Sequence, residues 1–158
     1  MIYFLVNLLL ALLWAVLQAF RPVDVFGGLV LGYAAIFLSR NWLGPDAIRY
    51  VYRVPRLILF GFYYLGELIS SALTVMRALF RDQTTLRPGI IAFPLDARTD
   101  FEIVLLNCLI SMTPGTLGVA VSPDRRTLYI HVIDVPDIEA TQQSIKNGLE
   151  RRLLEVLR

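Results

Sequence analysis

Residues 109–137, LISMTPGTLGVAVSPDRRTLYIHVIDVPD, decide how the rest of the chain is read. An apolar run stops at Thr113-Pro114-Gly115-Thr116. Pro114 has no N–H and disfavours helix at Thr113, and Gly115 can take positive φ, so a helix ends here. Leu117, Val119 and Val121 alternate with Gly118 and Ala120, a period of two with one bulky face and one nearly bare face. Ser122-Pro123-Asp124-Arg125-Arg126 suits a tight reversal, and Thr127 to Ile133 is β-branched or aromatic at most positions. The stretch reads as a helix stop followed by a β-hairpin. A hairpin must pack on something, and the flanking chain has to supply it.

Downstream, Asp134 and Pro136 open a last helix with Ile138, Ile145, Leu149, Leu153 and Val156 on one face. Upstream, Pro88-Gly89 opens a short strand, Ile90 to Leu95, which Pro94 marks as an edge strand or a strand end. Asp96 to Asp100 forms a turn, and Thr99 or Asp100 caps a helix from about Phe101 to Ser111. The order is β-α-β-β-α, an α+β unit over 82–158. A unit of that size buries a thin core, so docking on the membrane half or on partners supplements it. The one cysteine, Cys108, excludes an intramolecular disulfide and lies in an apolar run, where a buried, inert thiol is expected.

The first half has a different composition. The 158 residues are 56% hydrophobic, and the mean hydropathy is +0.61, high for a water-soluble globule. Residues 1–20 hold no charged side chain and can just span a hydrocarbon core. A span is preferred to a cleaved signal peptide, because there is no basic n-region or small-residue cleavage site and a second apolar segment follows at once. After Arg21-Pro22-Val23-Asp24, residues 25–39 are apolar again, and Gly28 and Gly32 form a G-x-x-x-G spacing that permits close helix approach. Arg40 to Arg56 reads as a hydrophilic connection punctuated by Gly44-Pro45 and Pro55. Its four Arg, against one in the 21–24 turn, place it on the cytoplasmic side. Helices are therefore expected over about 2–20, 25–40 and 57–80, making 1–81 a membrane region.

In the third segment Glu67, Ser70, Ser71, Thr74, Arg77 and Arg81 recur at helical spacing as one polar stripe. Two placements compete: a third span with the stripe against partner helices, or an amphipathic helix at the cytoplasmic interface. Spanning would put either the connection with four Arg or the tail with Arg77, Arg81 and Arg87 outside, so two spans plus an amphipathic helix is preferred.

Charge points the same way. Residues 1–88 carry eight Arg against Asp24, Asp46, Glu67 and Asp82, whereas 89–158 carry seven basic and nine acidic residues. The apolar half is the basic half, as suits segments whose ends meet anionic lipid headgroups. An overall charge of +2 gives no basis for nucleic-acid binding.

Few residues could carry chemistry. No phosphate-binding loop, dinucleotide fingerprint, H-E-x-x-H or G-x-S-x-G is present, and one His and one Cys cannot build a His/Cys metal cluster. No cofactor, metal or enzymatic activity is expected. His131 is a structural imidazole on a polar or interface face, with proton carrier as the competing reading. Asp134 is a helix cap in preference to a catalytic carboxylate. Backbone N–H groups at Thr113–Thr116 could cradle an anion, although most such turns bind nothing. Glu67 stands apart. A carboxylate in an apolar segment is costly, so it either joins an ion path or is held by Ser70, Ser71 or an Arg of a neighbouring helix.

Several of these segments together resemble the E-type subunit of the Mrp (Mnh) family of multi-subunit cation/proton antiporters of prokaryotes. The matching residues are Leu109 to Leu117, Leu128 to Val135, Pro88 to Pro94, Thr99 with Glu102, and Glu67-Leu68-Ile69. The resemblance covers essentially the whole chain. It implies an accessory subunit of a multi-pass assembly in the cell membrane that exchanges Na⁺ for protons and supports pH and sodium homeostasis. Its partners would be the other membrane subunits and the lipid bilayer, with the α+β domain in the cytoplasm. Thr113, Pro114, Gly115, Thr116, His131 and Asp134 would then form an interface or structural motif, and Glu67 a point on an ion path. The alternative from another class is a membrane-anchored adaptor whose α+β domain recruits a cytosolic protein. One acid and two or three membrane segments cannot enclose a transport pathway, so partners must supply the rest.

Overall fold

The computed structural model describes residues 2–18, 20–80 and 86–158. Arg81 of the polar stripe, and Asp82, where the α+β domain was expected to begin, lie outside the described residues. The chain forms two compact units, Met1–Ile58 and Leu59–Arg158.

The first unit holds α1 (Ile2–Leu17), α2 (Pro22–Leu43) and the beginning of α3 (Pro45–Leu79). Arg21 caps α2: its N–H is accepted by the Asp24 carboxylate at 3.0 Å, and Pro22 fills the first helical position, where no N–H is needed. A Cβ on Gly28 would stand 2.7 Å from the Ala11 Cα, and one on Gly32 would collide with the Asn7 side chain. Gly28 against Ala11 and Gly32 against Asn7 make the two helices antiparallel, and the G-x-x-x-G spacing is the reason they approach so closely.

The hydrophilic connection expected over Arg40–Arg56 is not a loop. Only Gly44, with φ of 89°, breaks the helix, and α3 starts at Pro45 and runs for 35 residues through Pro55. Proline removes one hydrogen bond inside a helix, leaving the carbonyl four residues earlier without its donor. Here that carbonyl is Val51, and the Tyr33 hydroxyl donates to it at 2.9 Å. Tyr3 similarly donates to the terminal Leu43 carbonyl of α2 at 2.7 Å, and Asn7 Nδ2 to the Tyr50 hydroxyl at 2.7 Å. Ile36, Ala47 and Val51 are the buried centre around which Tyr3, Tyr33 and Tyr50 pack.

The second unit contains the rest of α3, then β1 (Gly89–Pro94), α4 (Asp100–Met112), β2 (Thr116–Val121), β3 (Thr127–Val132), α5 (Ile138–Ile145), a π-helical turn (Lys146–Glu150) and α6 (Arg151–Leu157). The order β-α-β-β-α is the one read from the sequence. The sheet is antiparallel with β3 central, in the order β1-β3-β2, and Val119 is the extra residue of a bulge opposite Ile130 and Tyr129. Ile91, Phe93, Leu128, Ile130 and Val132 face a core completed by Leu106 and Ile110 of α4, Leu149 of the π turn and Leu153 of α6.

Two expectations change, those for Cys108 and Asp134. At Gly118 the nearly bare side of β2 meets α4: a Cβ there would collide with the Asn107 side chain, and its N–H donates to Ser111 Oγ at 3.0 Å. The uncovered face is the other one, with Ile90, Leu117 and Tyr129. Cys108 is exposed, because the buried side of α4 is set by Ile103, Leu106 and Ile110 and Cys108 falls outside that row. The last helix is capped by Asp137, whose carboxylate accepts from the Ala140 N–H at 3.1 Å. Asp134 instead accepts from the Arg87 N–H at 3.2 Å, holding the approach to β1.

Candidate functional site

The site is best built from the Thr113–Thr116 turn. Helix α4 ends there with carbonyls that have no i+4 donor. The Thr113 hydroxyl donates to the Leu109 carbonyl at 2.9 Å, and the Tyr64 hydroxyl of α3 reaches the same oxygen, also at 2.9 Å. The Thr116 hydroxyl donates to the Ile110 carbonyl at 2.6 Å. Gly115 takes φ of 86°, and its carbonyl accepts from the Ile133 N–H at 2.9 Å. A Cβ on Gly115 would stand 2.9 Å from Val75 Cγ2 of α3 and 3.1 Å from Ile133 Cγ2. The turn is a joint that fixes the end of α4, the end of β3 and one face of α3.

Beside this joint runs a groove of about 370 Å³, lined by Tyr63, Glu67 and Ser71 of α3, Thr113 and Thr116 of the turn, and Asp137, Thr141 and Ser144 of the α5 segment. Glu67 is half-buried there. Thr113, Thr116 and Thr141 each give their hydroxyl proton to a backbone carbonyl, so what they have left to offer is oxygen lone pairs. Asp137 is occupied as the α5 cap. Ile110, Pro136, Ala140, Ile145 and Leu149 complete a lining that is mostly apolar, so the groove offers a few oxygen acceptors beside Glu67 on an apolar wall, and no nucleophile–base pair stands among them. Among the described residues no group of three His, Cys, Asp or Glu side chains converges to bind a metal.

The structure thus brings Glu67, Thr113 and Thr116 together and leaves two candidates elsewhere. His131 is half-buried on β3 between Ile90 and Leu117, on the sheet face away from the core. Asp134 holds Arg87. Pro114 and Gly115 shape the turn without lining the groove.

Sequence reasoning missed two buried carboxylates. Glu102 completes the Thr99 capping box and also receives Arg158 Nε at 3.1 Å. The Arg158 guanidinium, then the N–H groups of Arg98 and Thr99, pull its pKa from an ordinary 4.5 to about 2. Glu150, 1% exposed, accepts from the Asp96 and Ala97 N–H groups at 2.7 and 3.1 Å and pairs with Lys146 at 2.8 Å. The Thr-x-x-Glu spacing at 99–102 was a usable signal for the first; for the second the i,i+4 spacing of Lys146 and Glu150 signals the ion pair, while its burial against the Asp96 and Ala97 N–H groups has no local sign.

The sequence profile described as Na⁺/H⁺ ion antiporter subunit matches residues 7–156. The chain is 37% identical to the E-type Na⁺/H⁺ antiporter subunit of Alkalihalophilus pseudofirmus, over 96% of each chain. It is 33% identical to that of Bacillus subtilis, over 98% of this chain and 97% of the relative. Among solved structures, a chain of the Mrp complex from Dietzia sp. DQ12-45-1b superposes with a TM-score of 0.52 at 25% identity, covering 65% of this chain and 96% of that one. A chain of the membrane-bound sulfane sulfur reductase, an archaeal respiratory membrane complex, shares the fold with a TM-score of 0.59 over 98% of both chains at 24% identity.

Proposed function

This chain belongs to the family of E-type Na⁺/H⁺ antiporter subunits, and from that premise we infer that it is an accessory subunit of a multi-subunit antiporter exchanging Na⁺ for protons across the cell membrane. The carrying observation is the extent of the match, residues 7–156, which takes in the membrane helices and the α+β region alike. A free-standing adaptor would need no such kinship, and that reading has no support. The chain is a transporter subunit rather than an enzyme, and its partners are the other membrane subunits. In that setting it contributes to pH and sodium homeostasis.

Helices α1 and α2 act as the membrane hairpin. By length and hydropathy α2 and α3 are long enough to cross, while α1 has 16 residues. Because α1 is packed antiparallel along α2, a bilayer that takes α2 takes α1 with it. With four Arg between residues 40 and 56 and one at 21, both N-terminus and α+β domain belong in the cytoplasm. On this reading residues 1–81 are the membrane region and 82–158 the cytoplasmic domain. The Thr113–Thr116 joint and Asp134 stabilise that domain, His131 sits on a face turned to partners, and Glu67 contributes to an ion path at a subunit boundary.

The test is isolation from native membranes through an affinity tag on this chain. The other antiporter subunits should co-purify, and membranes lacking this chain should lose Na⁺-driven proton movement. A monodisperse monomer retaining no partner, with antiport intact in its absence, would refute the assignment.

A further inference from the structure

In the first unit α1 begins where α2 ends, since the Tyr3 hydroxyl donates to the Leu43 carbonyl at 2.7 Å. Gly44 then turns the chain directly into α3, and Ala47 and Val51 pack with Ile36 to hold the new helix against α2. Between the start of α1 and the start of α3 a cavity of about 320 Å³ is left. Tyr3 and Phe4 line it from α1. The α3 side is built from residues 46, 49, 50, 53, 54 and 57, a spacing of three and four that puts them on one face of the helix.

Along α3 this lining changes character, from Asp46, Arg49, Tyr50 and Arg53 to Val54 and Leu57. The Tyr50 hydroxyl accepts from Asn7 Nδ2 at 2.7 Å, so its own proton is what it has left to give. Asp46 lies 3.7 Å from Arg49 with both side chains largely exposed, a loose pair that leaves the guanidinium able to meet another anion. Two arginines against one aspartate leave the cavity with an excess of positive charge. Phe4 and Leu57, 57% and 56% exposed, supply an apolar rim. We propose that this cavity seats an anionic phospholipid, with its phosphodiester between Arg49, Arg53 and the Tyr50 hydroxyl and its acyl chains on Phe4, Val54 and Leu57. This rests on the membrane-subunit reading above and goes beyond it.

The two halves of the lining select the ligand together. A soluble phosphate would satisfy the arginines and leave Phe4 and Leu57 in water. A headgroup of no net charge would leave the positive excess unmatched, whereas the single phosphodiester of phosphatidylglycerol balances it. Trp42, 94% exposed and two residues before the Gly44 turn, is an amphipathic ring of the kind that sits at headgroup level, at the same end of the α1–α2 pair as the cavity.

The test uses the intact complex in phosphatidylethanolamine nanodiscs that contain a trace of phosphatidylglycerol with a diazirine at the head of one acyl chain. After irradiation, label should map to Phe4 and to Val54–Leu57, with label at the exposed Leu38 of α2 as the internal standard for general lipid contact. Added phosphatidylglycerol should displace the cavity label, and added phosphatidylethanolamine or inorganic phosphate should not. Arg49→Gln combined with Arg53→Gln should cut the cavity label about tenfold relative to Leu38, while Arg56→Gln, outside the cavity, should leave it unchanged. Both arginines are exposed, so folding is not at stake. Equal displacement by phosphatidylethanolamine would mean unselective lipid contact, and displacement by inorganic phosphate would mean a soluble-anion site. Label at Leu38 with none at the cavity would mean that a protein partner covers it, and full cavity label in the double variant would remove the arginines from the site. Each of these overturns the proposal. Co-purification of the other subunits is scored on the same preparation, so failure of the functional reading is seen separately from failure of the lipid site.

Discussion

The Tyr33 hydroxyl donates at 2.9 Å to the carbonyl of Val51, the backbone acceptor that Pro55 leaves without a partner. Val51 is 2% exposed, so without Tyr33 that oxygen would be buried and unsatisfied. This bond replaces the hydrogen bond that α3 loses at its internal proline.

Tyr33→Phe should therefore destabilise the chain by about 1–3 kcal/mol, the usual cost of a stranded buried acceptor. In a Pro55→Ala background the restored N–H at position 55 can serve Val51, and the same change should cost much less. Thermal unfolding of the detergent-solubilised subunit across this double-mutant cycle reads the coupling. Equal costs in both backgrounds would disconnect Tyr33 from Pro55.

Glycine contacts make a graded set. Gly28→Ala sets a methyl against the backbone of Ala11, which cannot step aside, and should cut the level of assembled complex strongly. Gly32→Ala collides with the Asn7 side-chain oxygen while the Asn7 backbone carbonyl lies at 3.4 Å, an ordinary contact, so its effect should be milder than that of Gly28→Ala. Gly61→Ala meets nothing within 4 Å and should assemble as wild type. Quantitative immunoblots of the membrane complex give the order.

Glu102 makes stability pH-dependent. Its folded pKa of about 2 lies below the ordinary 4.5, so its contribution is complete above 4.5 and is lost as pH falls towards 2. Glu102→Gln should lower Tm at neutral pH, and the gap to wild type should close through that acid window. A gap unchanged with pH would show that hydrogen bonding alone, without the charge facing Arg158, holds the carboxylate in place.

At Glu67, Glu67→Gln keeps shape and hydrogen-bonding reach while removing the negative charge. With Glu67 on an ion path, the complex should assemble normally but exchange Na⁺ for protons poorly or with a shifted pH profile. Were Glu67 only an anchor for α3, assembly would fall first. Glu67→Asp keeps the charge and moves it back by one methylene. Wild-type exchange per assembled complex in Glu67→Gln vesicles would remove this residue from the transport mechanism.

Orientation is read with an impermeant thiol reagent on cysteines placed at Pro22, Asp46 and Asp124 in the Cys108→Ser background. Labelling from outside should occur at Pro22 alone. Outside labelling at Asp46, with Pro22 and Asp124 protected, would reverse the positive-inside assignment of residues 40–56.

What the sequence determined by itself is what neighbours along the chain decide. The Thr113-Pro114-Gly115-Thr116 stop, the Ser122–Arg126 reversal, the Thr99–Glu102 capping box and the close approach at Gly28 and Gly32 each depend on a few adjacent residues or on one helical period. The order β-α-β-β-α follows from those signals. Tertiary structure decided the rest, because it depends on pairs far apart in sequence. Residues 45–56, expected as a loop, are helical, and only the fold places the Tyr33 hydroxyl on the Val51 carbonyl that Pro55 leaves without its donor. Arg158 reaching Glu102 is the largest cause of its lowered carboxylate pKa, and the local capping box, which supplies the Arg98 and Thr99 N–H groups, does not foretell it. Asn107 packing on Gly118 decided which sheet face α4 covers, a choice the alternation of bulky and small residues left open. The polar stripe of α3 was visible as a period, yet only packing could say what lies over Glu67, since a helical period fixes which residues share a face and leaves open what that face meets.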